Sequence, residues 1–401
     1  MSGAVNRLRC EGNIDRFLAD TDPVLSGTVH TLTAPPAART LSTPSTHTLV
    51  AVRPHYRFAI TMPSATPTRL SGSCQQISHE TFSLPDTARV TVRCNLADPD
   101  INPAIAGHII NNIPLVPSGL YGDMAAVVAR YIWSKLRPDE SETIGVNVCD
   151  MHVDKTFIPK WPAPSAGEWF EMEAVADLSS SGTDGGSIEC RIRKLDDPKL
   201  ADFAGCTVRF ESPAAWQREW SAHSHLISSQ VRNLIARAGI ESSGNLRTIQ
   251  RGQAYERFKT FVDYHHKYQN MQEVIMDYSA LEATAVLDYQ CDPVEDYCGP
   301  FFLDGSCHLS GWVCNESEAD SKQNAYISHG WGAMKLLPML SVEASKKNTF
   351  RTYVRMQRKG KDVLGGNVFI LDGDDIVGVW EGVEFKRIPR RVLNIFLPQK
   401  K

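Results

Sequence analysis

No apolar run in the chain approaches the roughly 18 consecutive residues that a membrane-crossing helix needs, which sets aside a helical span. Charge of one sign is scarce too. Lys and Arg number 42 against 46 Asp and Glu, a formal net charge of −4, so nothing global points to nucleic acid or an anionic membrane as partner. The N-terminal stretch "MSGAVNRLRCEGNIDRFLAD" is charged throughout and lacks the apolar core of a secretory leader. There is no G-x-S-x-G, which argues against an ordinary serine esterase. Neither G-x-x-x-x-G-K-[ST] nor G-x-G-x-x-G occurs, so no nucleotide cofactor is expected. Ten cysteines are scattered through a chain large enough not to need staples, which implies reduced thiols and a cytoplasmic setting. There the glycosylation sequon Asn315-Glu316-Ser317 would go unread.

What is present fits a globular protein. The 401 residues suffice for two or three core-forming units, and 42% hydrophobic with 22% charged residues is ordinary composition. Residues 20–50 are rich in Thr, Pro, Ser and Ala without a clear period, and residues 1–63 read as a poorly structured segment. Beyond them strand-like alternation sets in. In "ETFSLPDTARVTVRCNL", Val90, Val92 and Cys94 share one face after a turn. A helix is expected near Pro117, a good first-turn residue, with Ser118 as its cap. Leu120, Met124, Val127, Val128 and Tyr131 recur at three- and four-residue steps and give it an apolar stripe. The runs "GEWFEMEAVADLS", "GSIECRIRKL" and "GCTVRFES" read as strands, and "AAWQREWSAHSHLISSQVRNLIARAGI" reads as helical. The second half repeats the plan, with a short helix around Asp304 and strands at "ALEATAVLDYQ", "TFRTYVRMQRKG", "LGGNVFILDG" and "DIVGVWEGVEFKRI". An α+β unit per half follows: residues 64–212 and 251–401, joined by a helical linker at 213–250.

Two motifs carry the chemistry. In "INPAIAGHIINNIPLVPSGLYGDMA", His108, Asn112 and Pro117 follow the H-x3-G-x4-P spacing of β-hydroxyacyl dehydratases, with Asn in place of Gly. Asn enters left-handed backbone conformations readily, so the substitution is physically tolerable. About 200 residues on, Asp304 precedes His308 by four, as in the D-x3-Q/H signature of the same enzymes. A lone histidine is more often a satisfied core residue. Two motifs in this order outweigh that reading.

Together with "TPTRLSGSCQQISHETF", "FVDYHHKYQNMQEVIMD", "LEATAVLDYQ", "LDGSCHLSGWVCN", "AYISHGW", "TYVRMQRKG" and "GVEFKRIPRRVLNIFLP", the chain resembles the product template domain of fungal non-reducing polyketide synthases, in the dehydratase-like double-hotdog family. The resemblance covers residues 66 to 398. Asn112 and Asn270 depart from it, each replacing a usual glycine near the pocket. It implies a double hotdog, two curved antiparallel sheets each wrapped on a central helix, with His108 and Asp304 facing each other across a channel. It further implies a cofactor-free cyclase and dehydratase. His108 would remove a proton from a methylene between two carbonyls, and Asp304 would hydrogen-bond the imidazole and steady the imidazolium. The enolate would then close an aldol ring that loses water and aromatises. Ser306, Cys307 and His308 are candidates to polarise a carbonyl. Tyr264, Tyr268 and Met271 are candidates for the channel wall, with packing under the sheet equally open. With Asn112, Pro117 and Asn270 they complete the candidate site.

Other signals carry less. Cys291, Cys298, Cys307 and Cys314 are spaced too widely for a zinc site and read as buried thiols. His265 and His266 adjoin on an expected strand, would point to opposite faces, and cannot chelate together. The basic runs "KKNTFRTYVRMQRKGK" and "KRIPRR" either meet an acidic acyl carrier protein, presenting the polyketide on phosphopantetheine, or form a solvated face. The chain is either a domain excised from a synthase or a free-standing enzyme acting with a polyketide synthase in trans or on a released polyketide; the N-terminal methionine and the degenerate lead-in lean to the second, and a homodimer is the default among hotdog relatives. The rival readings are a free-standing dehydratase, isomerase or pericyclase, and a non-catalytic scaffold that binds the intermediate.

Overall fold

The Val90–Val92–Cys94 alternation becomes the inner face of a strand in a computed structural model, which describes residues 68–397 apart from 141–143, 180–185, 195, 241–243, 294, 317–322 and 341–348. All three side chains are fully buried. The segment 1–63, Ser317 of the sequon, Lys346 and Lys347 lie outside the described residues.

The strands are β1 (Gln76–Ser83), β2 (Thr87–Asn95), β3 (His108–Ile110), β4 (Ile113–Pro114), β5 (Gly145–Val153), β6 (Trp169–Asp177), β7 (Ser187–Arg193), β8 (Ala204–Glu211) and β9 (Leu246–Gln250). They continue as β10 (Asp263–Tyr264), β11 (Met271–Asp277), β12 (Glu282–Asp288), β13 (Asn324–Leu336), β14 (Thr349–Arg355), β15 (Gln357–Arg358), β16 (Val363–Asp372) and β17 (Asp375–Pro389). The helices are α1 (Asn102–Ala106), α2 (Ser118–Leu136), α3 (Pro213–Ile240), α4 (Arg251–Phe258), α5 (Gly299–Asn315) and α6 (Arg390–Phe396).

One antiparallel sheet runs β1-β2-β6-β7-β8-β5-β13-β17-β16-β14-β12-β11-β9, with β15 beside β16. Its first six strands come from the first half, with β2 and β5 to β8 packed on α2; its last seven come from the second half, with all but β9 packed on α5. This is the double hotdog. The halves join where β5 pairs with β13, with Trp331 opposite Met151 and Met334 opposite Val148.

A central helix must bury more than one face, and α2 does. Leu120, Met124 and Val128 of the expected stripe are fully buried, and so are Ala125, Ala129 and Ile132. Val127 and Tyr131 lie at the stripe's edge, where the Tyr131 hydroxyl donates to Glu80 at 2.6 Å. Truncating such a core leucine costs about 2–5 kcal/mol. Ser118 is the first helical residue rather than the cap. Pro117 holds the cap position in an extended conformation, without a side-chain hydrogen bond.

The linker helix α3 is apolar on one side only, burying Trp216, Trp220, Ile227, Val231 and Leu234. It spans about 42 Å at 1.5 Å per residue, and leads from β8 to the far edge strand β9. Residues 246–250, read as linker, thus form the last strand of the second half. The helix carrying Asp304 is longer than expected, at 17 residues. Among the described residues no helix is long and apolar enough to cross a membrane.

The cysteine reading needs one correction. Cys291 and Cys298 form a disulfide, because the loop ahead of α5 turns back and brings their Cα atoms to 5.7 Å. The other cysteines among the described residues, Cys307 and Cys314 included, are free thiols, and these residues contain no cluster of His, Cys, Asp or Glu suited to a metal ion.

Candidate active site

The "HIINNIP" stretch folds as a tight hairpin. Ile110 faces Ile113 across a two-residue turn in which Asn111 and Asn112 have φ of 52° and 63°. A hairpin turn with both central residues at positive φ matches the natural twist of the strands, and Asn is among the few side chains that tolerate it. Asn112 therefore contributes its backbone. Its side chain stands exposed at the turn.

The hairpin's other edge is taken by β10 from the second half, which places Tyr264 opposite His108. The His108 ring is edge-on to Tyr264 at 5.5 Å and to Tyr268 at 6.2 Å between centroids. Its Nδ1 is buried and has no hydrogen-bond partner. Such an orphan costs about 1–3 kcal/mol in a folded protein and calls for an explanation.

From the other side come Asp304 and His308, on one face of α5 by their four-residue spacing. His308 Nε2 donates to Asp304 Oδ2 at 2.6 Å. The carboxylate's hydrogen bond thus comes from His308, whereas the expectation drawn from the resemblance gave it to His108. His108 feels Asp304 through charge. Burial holds the His108 imidazole below its ordinary value, the Asp304 charge opposes that, and the His308 charge adds to it. For Asp304, burial pushes upward, but the neighbouring charge and hydrogen bond of His308, with His108 behind them, leave the carboxyl below its usual range. Near neutral pH the arrangement is a neutral imidazole beside an ionised, anchored carboxylate.

Tyr264 and Tyr268 sit between the two histidines. His308 lies 4.3 Å from the Tyr264 ring and 6.1 Å from that of Tyr268. Burial, and behind it the Asp304 charge, push both phenols up, so both keep their protons. Tyr268 donates to the Ala104 carbonyl at 2.8 Å. Asn270 is buried; its Oδ1 accepts from the Gln290 N–H at 3.1 Å, while its Nδ2 has no partner. That Nδ2 lies against α5 at Gly305, where an added Cβ would stand 2.0 Å from it. Met271 is buried on β11.

Of the carbonyl-polarising candidates, Ser306 is turned away. It is fully buried, donates to the Leu303 carbonyl and accepts from Trp380 Nε1 at 2.9 Å. Burial pushes the Cys307 thiol up to about 12, which makes it a poor nucleophile. His265 and His266 lie at a 3-10 turn rather than on a strand, and their ring nitrogens approach to 3.2 Å instead of diverging.

Tyr255 on α4 was not legible in the sequence, since "YERF" carries no motif. Its hydroxyl accepts from the Met271 N–H at 3.0 Å, donates to the Tyr268 carbonyl at 3.2 Å and stands 3.5 Å from His308 Nδ1. It ties the aromatic wall to the histidine that anchors Asp304.

No family model matches the chain. Among curated proteins it is similar to non-reducing polyketide synthase PKS1 of Zymoseptoria tritici, 43% identical over 338 residues, which are 83% of this chain and 15% of that protein. It is similar to non-reducing polyketide synthase Preu8 of Preussia isomera at 38% identity, covering 84% of this chain and 15% of that protein. For conidial pigment polyketide synthase alb1 of Aspergillus fumigatus the figures are 36%, 78% and 14%. The chain spans about a seventh of the length of these relatives. Among solved structures, the dehydratase domain from the CurK module of curacin polyketide synthase matches with a TM-score of 0.53 and 14% identity, over 81% of this chain and 98% of that one. The CurJ dehydratase domain matches at 0.55 and 11%, over 80% and 99%. At such identities the structures speak for the fold alone. By sequence the chain is similar to a stretch of fungal non-reducing polyketide synthases, and its fold is that of the dehydratase double hotdogs.

Proposed function

We propose that the chain is a cofactor-independent polyketide cyclase and dehydratase that closes a poly-β-keto chain by regioselective aldol reaction and removes water. The observation that carries the reading is His108: an imidazole with a buried, unpartnered Nδ1, walled by tyrosines, in the field of a carboxylate that another histidine holds.

The neutral imidazole takes a proton from a methylene between two carbonyls. The electron pair released forms a carbon–carbon bond to a second carbonyl of the same chain, and that oxygen becomes an alkoxide. The imidazolium, steadied by Asp304, returns the proton to it. Removal of a second methylene proton expels the hydroxyl, which leaves as water after protonation by the same imidazolium. Enolisation completes the ring. His308 keeps Asp304 ionised and in place, while the buried aromatic side chains exclude water. The substrate is a polyketide, presented by a carrier's phosphopantetheine arm or released. Arg358, Lys359 and Lys361 are exposed and offer an acidic carrier a basic surface, whereas Arg387 is tied to Asp362 and Arg390 to the Thr260 carbonyl.

The test is to incubate the protein with a synthase lacking this segment and to compare the products with those of Asp304→Asn. The wild type is expected to give one ring pattern with loss of water. Asp304→Asn is expected to be about 10- to 100-fold slower, a smaller loss than the roughly 10²–10⁴-fold of a direct acid–base group, because Asp304 acts through His108. Rings that close equally well in both, with only water loss impaired, would make the protein a plain dehydratase. An unchanged product profile would reject the reading.

The pH profile checks the electrostatics. Since His108 lies below its ordinary 6.5, the acid limb of kcat/KM is expected to have its midpoint below pH 6.5. Asp304 raises His108, so Asp304→Asn should move that midpoint lower still. His308 lowers it, so His308→Gln should move it up.

A further inference from the structure

Asp123 is a carboxylate where the pattern of α2 asks for an apolar residue. Its neighbours Leu120, Met124 and Ala125 are fully buried, and Asp123 itself is only 9% exposed. A buried carboxylate costs several kcal/mol unless it is paired and hydrogen-bonded. The partners come from the other half. Tyr297 Oη donates to Asp123 Oδ2 at 2.5 Å, and the same hydroxyl lies 3.1 Å from Ser73 Oγ. Burial, and next the Asp123 charge, push the Tyr297 phenol up, so it remains a donor.

The second contact is with the start of α5. A Cβ on Gly299, its first residue, would stand 2.3 Å from Asp123 Oδ1, so no other residue fits between them. The first turn of a helix presents unpaired N–H groups and the positive end of the backbone dipole. Here the residue at the cap position, Cys298, supplies no side-chain hydrogen bond. The charge that faces this end of α5 is Asp123. One turn earlier on α2, a Cβ on Gly119 would lie 3.1 Å from the Asp304 nitrogen and 3.3 Å from its Cβ. α2 therefore touches α5 at two points, Gly119 at Asp304 and Asp123 at Gly299. Two points fix both the axial position and the rotation of one helix on the other. The chain enters α2 directly from the His108 hairpin, and α5 bears Asp304 and His308.

We infer that Asp123, gripped by Tyr297, is a positioning residue that sets where the Asp304–His308 pair stands relative to His108. The inference builds on the proposed role of these residues, but its main readout needs no substrate. Asp304 raises the titration midpoint of His108, so that midpoint, followed by NMR, reports their relation. Asp123→Ala is expected to lower it in the same direction as Asp304→Asn. In an Asp304→Asn background only the smaller, opposite effect of His308 is left, so Asp123→Ala should no longer lower the midpoint. Tyr297→Phe, a milder change that keeps the ring, should give a smaller shift of the same sign. Hydrogen exchange of the α5 amides from 301 to 305 should quicken in both variants. If the proposed activity also holds, kcat should fall about 10-fold in Asp123→Ala with KM changed less than about 2-fold, the pattern of a lost transition-state interaction. A His108 midpoint that stays at the wild-type value, or a shift of equal size in both backgrounds, overturns the inference; the latter would mean that Asp123 acts by its own charge. Wild-type protein that turns over no poly-β-keto substrate rejects the proposed function and leaves the NMR comparison to decide on Asp123.

Discussion

His108→Ala is expected to slow ring closure by about 10²–10⁴-fold, the span that a positioned general base contributes, while the protein stays folded. The two halves of this expectation have separate causes. Activity falls because no neighbour can replace the base. His308 is committed to Asp304, the tyrosine phenols are held protonated, and the Cys307 thiol is pushed up to about 12. Stability is nearly kept because two effects offset. The variant loses the ring contacts with Tyr264 and Tyr268, but it also removes a buried nitrogen without a partner, worth about 1–3 kcal/mol. Product analysis beside a thermal melt checks both. Full retention of rate and product pattern would show that the site works by shape alone.

Gly330→Ala is expected to be the most damaging small substitution in the described residues. Gly330 has φ of +130°, and a Cβ there would lie 1.8 Å from the Met151 carbonyl oxygen. That oxygen belongs to the β5 backbone and cannot step aside like a flexible side chain. The site lies at the seam, where Gly330 is opposite His152; β13 is bulged against its other neighbour β17 between Ser328 and Gly330, and β5 against β8 between Cys149 and His152. Strain and clash together put the loss at about 4 kcal/mol or more, or about 5 °C or more in Tm by the usual scaling for a chain of this size. Gly332→Ala is the control. Its Cβ would meet the Glu381 carbonyl oxygen at 3.4 Å, an ordinary contact, and its Tm should stay near the wild-type value. Equal melting of the two variants would refute the account of the seam.

Much of this architecture could be read before any coordinates. The alternation at Val90, Val92 and Cys94, the stripe on α2 and the tolerance of Asn112 for a left-handed conformation are local properties that tertiary structure had no reason to override. The seam strands were harder. β5 holds Asn147 and a positive-φ Asp150, and β13 holds Gly330, so bulges break the period-two pattern that marks a strand. In the candidate site, the two motifs fall on α5 and on the His108 hairpin, which the fold brings to the same tyrosines. Which imidazole bonds Asp304 depends on the orientation of α5 against the hairpin, and spacing alone cannot encode that. The misreadings of Ser306 and of His265 with His266 have the same origin, since a neighbour in sequence on a helix or turn is not a neighbour at its working face. The Cys291–Cys298 pairing escaped because it depends on how one loop doubles back.

The pairing of β5 with β13 has a consequence for how the chain is made. When the ribosome has released the first hotdog, the partner of β5 is still unsynthesised, and the strand presents bare backbone donors and acceptors. Until residue 336 has emerged, the nascent molecule carries an adhesive edge in its middle. A truncated product ending in α3 would keep that edge for good, so this chain finishes folding as one piece or stays prone to sticking to its own copies.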